Sequence, residues 1–108
     1  MGEIMKEVIA SRILYCQLEG KREEVVVRFG IPLQENEYSI CEYEILIAGN
    51  SEAYQIIGSD SVHALQLAMF MVGSALQSIQ GASNWSWNGE PHTGLPSSLD
   101  HPILGLRS

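Results

Sequence analysis

Between Asp60 and Glu90 the chain carries no Asp, Glu, Lys or Arg, although its 108 residues have a formal net charge of −7. Such a gap leaves little choice but to pack the segment. Residues 61–80 sort by helical period: Ala64, Leu65, Ala68, Met69, Met71, Val72, Ala75, Leu76 and Ile79 fall on one wide arc, and His63, Gln66, Gly73, Ser74 and Gln77 on the opposite one. Phe70 lies near the middle of the polar arc and Leu67 at its edge. The pattern predicts a helix with one buried face and one uncharged face. Asp60 is placed to cap its N-terminus, where a carboxylate accepts unpaired backbone N–H groups, and Gly81 to end it. Gly73 weakens a helix by up to about 1 kcal/mol relative to alanine, so close contact with another backbone is expected there. Residues 62–79 have the length of a membrane span, but the five polar residues His63, Gln66, Ser74, Gln77 and Ser78 argue for a packed helix instead.

The segments before this helix read as strands. Residues 7–19 are rich in β-branched and aromatic residues with apolar side chains on both faces, which suggests a bent or bulged strand. A polar turn at Glu19-Gly20-Lys21-Arg22 leads to a return strand over 22–32, with Val25, Val27 and Phe29 on one face. Residues 33–37 read as a polar connection. Residues 38–49 show the clearest period of two: Cys41, Tyr43, Ile45 and Ile47 face a core, Glu42 and Glu44 face water, and Arg28 of the neighbouring strand is placed to pair with one of the two acids. A turn beginning at Gly49-Asn50 leads to a short strand over 52–58. After the helix, residues 82–91 alternate again, with Trp85 and Trp87 sharing a face and Asn88-Gly89 marking a turn.

The expected architecture is therefore α+β: an antiparallel β-meander packed against one long helix, with a further strand after it. Residues 1–96 form the expected domain and 97–108 an extended tail. Cys16 and Cys41 are the only cysteines, each in a strand-like run, and are expected to be buried free thiols. The N-terminus lacks a basic start followed by a long apolar run, so a cytoplasmic location is expected.

The run Gly58-Ser59-Asp60-Ser61-Val62-His63-Ala64-Leu65-Gln66-Leu67-Ala68, followed by Trp85 and by Gly94-Leu95-Pro96, resembles a small family of uncharacterised bacterial domains. Its members look like a β-meander followed by a G-x-D-x-x-x-A-L-x-L helix, a tryptophan strand and a Gly-aromatic-Pro ending; here Leu95 stands in place of the aromatic. The resemblance covers residues 7–96 and implies the same architecture, with no chemistry attached. In size and charge the chain is also similar to the small acidic immunity proteins encoded beside bacterial toxins.

Neither catalysis nor a cofactor is indicated. Gly58-Ser59-Asp60-Ser61 is not the G-x-S-x-G nucleophile elbow. Glu42 and Glu44 share a strand face without a predicted cleft to set their protonation apart. His63, His92 and His101 have no metal-binding spacing. The net charge opposes nucleic acid, whose phosphates need clustered Lys or Arg, and anionic membranes. It suits a basic protein partner. Glu35, Glu37, Glu42, Glu44, Glu52 and Asp60 follow one another with no Lys or Arg between residues 29 and 60, a stretch able to steer such a partner. Candidate contacts are Glu42 and Glu44, with Phe70, Trp85 and Trp87 as apolar centres. The helix, through Phe70 and Gly73, is a candidate homodimer face. The alternative is a small-ligand-binding domain or small enzyme with a pocket near the tryptophan strand.

Overall fold

A computed structural model of the chain describes residues 7–96; the expected tail, 97–108, lies outside them. The elements are β1 (Val8–Leu18), β2 (Lys21–Gly30), β3 (Leu33–Glu35), β4 (Tyr38–Ile47), β5 (Asn50–Gly58), α1 (Ser61–Gln77) and β6 (Ala82–Ser86). All strand pairs are antiparallel. One edge of β4 is taken by β2 along residues 43–47 and by β3 along 38–40, and its other edge by β5. Across the sheet the order is β5, β4, then β2 and β3 end to end, then β1 and β6. The α+β class holds, as do the meander-like order, the long helix packed on the sheet and the strand after it.

Alternation along the strands sends Leu14, Cys16, Val25, Val27, Phe29, Cys41, Tyr43 and Ile45 to one side, where they meet Ala64, Ala68, Val72 and Leu76 of α1. Each large side chain buried this way contributes roughly 1.5–3 kcal/mol. α1 lies over β4 and β5 and reaches β2. Its start explains the Gly58–Ala64 motif physically. A Cβ on Gly58 would stand 2.4 Å from the backbone nitrogen of Ala64, so only glycine lets the first turn land there. The Asp60 carboxylate accepts from the His63 N–H at 2.8 Å and caps the helix.

Four boundaries differ from expectation. The helix stops at Gln77 with Ser78 as its C-cap, because the N–H groups of Ser78 and Ile79 bond three residues back to Ala75 and Leu76 and tighten the last turn. Leu33–Glu35 is a short strand, held by pairing with β4. The β4–β5 turn is Ala48-Gly49, one residue earlier than expected, with φ of 50° and 82°. The tryptophan strand ends at Ser86 and carries a bulge. Register slips between Tyr15 and Gln17 of β1, with Asn84 at a φ of 54°. The extra residue puts both Ala82 and Trp85 on the core side.

Gly73 performs the expected role. A Cβ there would lie 2.1 Å from the carbonyl oxygen of Pro96, so the chain after β6 crosses α1 in direct backbone contact.

Candidate functional site

A two-residue turn makes Ile47 and Asn50 the first pair of the β4–β5 ladder. Ile45 with Glu52 and Tyr43 with Tyr54 follow, and all six side chains point toward the helix layer. The C-terminal half of α1 adds Met71 and Ala75, the turn after it adds Ile79, and between helix and hairpin remains a concavity of about 600 Å³. Its walls are mostly apolar. The rings of Tyr43 and Tyr54 stack at 5.5 Å and 30°. Tyr54, 48% exposed, and Met71, 37% exposed, stand at its opening. The Tyr54 hydroxyl donates to Oε1 of Glu52. That bond, with smaller help from desolvation and the nearby carboxylate charge, raises the phenol above its usual range. Glu52 thus places a carboxylate on the lip of an apolar groove.

The residues singled out from sequence do not converge on one surface. Glu42 is exposed on the sheet face away from α1. Glu44 shares that face but is not wet: it is 2% exposed, accepts from Arg28 Nη1 at 3.4 Å and from Ser51 Oγ at 2.8 Å. Arg28 and Ser51, on the strands either side, both donate to it, so its charge is paired within the chain. Phe70 is half-buried on α1. Trp85, 9% exposed, belongs to the core. Trp87 is half-buried, with the Arg12 guanidinium 3.8 Å from its ring centroid and His92 beside it. Gly73, covered by segment 95–96, is not part of an open helix face.

Around Trp87 the chain closes on itself. Trp87 and Glu90 exchange backbone hydrogen bonds across the Asn88-Gly89 turn. Nη1 of Arg12 donates to the Thr93 carbonyl at 3.0 Å, and burial lowers the pKa of that guanidinium. The concavity between α1 and the β4–β5 hairpin lies at the sheet edge opposite the tryptophan strand.

Cys16 and Cys41 are free and buried. Desolvation, aided by the nearby Glu42 charge, pushes the Cys41 thiol from 9.0 to about 11, so it is an inert core group at neutral pH. Among the described residues, no three His, Cys, Asp or Glu groups are placed to hold a metal ion, and no helix is long and apolar enough to cross a membrane.

Sequence reasoning missed Glu52, Tyr54 and Tyr43 as a unit. The signal was the two-residue spacing of Glu52 and Tyr54, but it acquires meaning only once the register sets Tyr54 against Tyr43.

Fold and surface together define a two-layer α+β domain with one long helix over one sheet face among the described residues and an apolar, acid-lipped groove at one sheet edge. The chain belongs to the family described as Domain of unknown function (DUF6968), whose pattern matches residues 10–97. That family has no established function. Comparison with curated proteins and with solved structures gives no match.

Proposed function

We propose that the domain is a non-enzymatic protein-binding module that receives a basic partner at the groove between α1 and the β4–β5 hairpin. The observation that carries this reading is the pairing of an apolar concavity with the Glu52 carboxylate on its lip, inside a stretch that has no Lys or Arg between residues 29 and 60. An apolar centre with a charged rim is the usual anatomy of a recognition surface. Exposed Glu42 and Glu52 extend the negative field around the hairpin and speed the encounter with a cationic protein. Covering the partner's working surface without chemistry, as an immunity protein covers its toxin, is the form of action this reading favours.

The test is co-purification from the source cell, followed by titration of the recovered protein. A partner with a net positive surface, bound by the native chain and weakened roughly tenfold or more by Glu52→Lys, supports the proposal. A partner whose affinity ignores Glu52→Lys and Glu42→Lys contradicts it. The groove volume also falls within the range of small-ligand pockets; a small molecule retained by the purified chain in native mass spectrometry and lost in Met71→Trp would favour that second reading.

A further inference from the structure

Resting on that reading, we propose that the partner engages as an added β-strand: an extended segment bearing Lys or Arg pairs with the free edge of β5 and turns alternate apolar side chains into the α1 groove. β5 pairs with β4 along one edge, and among the described residues no strand pairs with the other. The register fixes which groups that edge offers. Asn50, Glu52, Tyr54 and Ile56 lie in the pairs that exchange hydrogen bonds with β4. Ser51, Ala53, Gln55 and Ile57 therefore aim their N–H and C=O groups outward. The ladder runs from Ser39–Gly58 to Ile47–Asn50 without a slip, so these groups form an uninterrupted row.

Edges of this kind are normally guarded by Lys, Pro, a bulge or a covering element. β5 has neither Lys nor Pro nor bulge, and residues 50–55 are all exposed. An unguarded edge beside an apolar groove is the geometry of strand addition, in which backbone bonds supply affinity and alternate side chains supply specificity. The added strand's groove-side residues would neighbour Asn50, Glu52 and Tyr54. One of them opposite Glu52 is best a cation, and its neighbours two residues away are best apolar, to reach Met71, Ala75 and Ile79. A second copy of this chain fits less well, because edge-to-edge pairing would bring two acidic hairpins together, each from a chain of charge −7.

The experiment uses the full chain and a short synthetic peptide, Ile-Thr-Lys-Thr-Ile, which puts its Lys and both Ile side chains on one face of a strand, with two controls: the same peptide N-methylated at alternate residues, and one with Glu replacing Lys. Calorimetric titration should show binding of the first and a loss of about tenfold or more for the N-methylated form, which cannot donate to the edge. Ala53→Pro should cause a similar loss, since it removes one outward N–H and leaves every bond to β4 in place. Its circular dichroism and melting should match the native chain; if they do not, the N-methylated peptide decides alone. Equal binding of the methylated and unmethylated peptides, with the Glu peptide rejected, overturns strand addition while leaving the basic-partner reading standing. Rejection of both Lys peptides, or equal acceptance of Lys and Glu peptides, counts against both. A chain that sediments as a dimer, and becomes monomeric in Ala53→Pro, shows that a second copy occupies the edge and overturns the proposal.

Discussion

The two edges of the sheet are built in opposite ways. β6 is five residues long and bulged at Asn84. The chain after it turns at Asn88-Gly89, ties Thr93 to Arg12, lays Trp87 under the same arginine and sets Pro96 against Gly73. β5 is nine residues long, has no bulge and is followed directly by the helix. A short, bulged, tied-down edge resists pairing, whereas a long regular one invites it. The β6 edge is closed by the chain's own contacts, and under the proposal above the β5 edge is the one left to a partner. Substitutions at the two edges should therefore separate by what they damage.

The largest effect is expected at Trp85, which anchors β6 in the core at 9% exposure. Trp85→Ala should cost about 3–5 kcal/mol in urea unfolding; a loss below about 1 kcal/mol would break the claim that Trp85 anchors this edge in the core. Next comes Gly73→Ala. In an isolated helix it would be favourable by up to about 1 kcal/mol, but here the new Cβ meets the Pro96 carbonyl, 2.1 Å from its ideal position. A net loss of about 1–3 kcal/mol is expected, and a net gain would show that segment 95–96 is not held against α1.

A third effect is pH-dependent. Burial raises the Cys41 thiol from 9.0 to about 11, so the folded state holds this proton more tightly than the unfolded one. The contribution is complete below pH 9 and is lost as pH rises through about 11. Stability followed by chemical unfolding should fall across that window, and the fall should be shallower in Cys41→Ala. Native chain at pH 8 should leave both cysteines unmodified by a thiol reagent until denaturant is added. The smallest effect on stability is expected on β5: Ala53→Pro should shift unfolding by no more than about 0.5 kcal/mol.

Much of this was legible in the sequence, and the reasons differ by element. The helix announced itself because a charge-free run with a 3.6-residue period has few other solutions, and Asp60, Gly73 and the Asn88-Gly89 turn each carry a local physical requirement. Arg28 could be placed near the two glutamates from strand alternation alone. Its choice of Glu44, and the hydrogen bond to that acid from Ser51 on the other side, required the register of three strands. β3 was hidden because Leu33–Glu35 has too few residues to show a period and owes its form to β4. The bulge at Asn84 was hidden because the Asn84–Asn88 alternation looks regular until it is matched to β1. The groove was the least legible feature. Its walls come from β4, β5 and the far end of α1, and no local pattern links Tyr43, Glu52 and Ile79.

The most direct measurement is residue-resolved amide hydrogen exchange on the native chain, with and without the Ile-Thr-Lys-Thr-Ile peptide. The outward amides of Ser51, Ala53, Gln55 and Ile57 should exchange fast alone and slow markedly when the peptide is bound, while those of β6 stay unchanged. Protection of those four amides in the free monomer, or peptide-induced protection that appears along β6 and not along β5, would contradict the division of labour between the two edges.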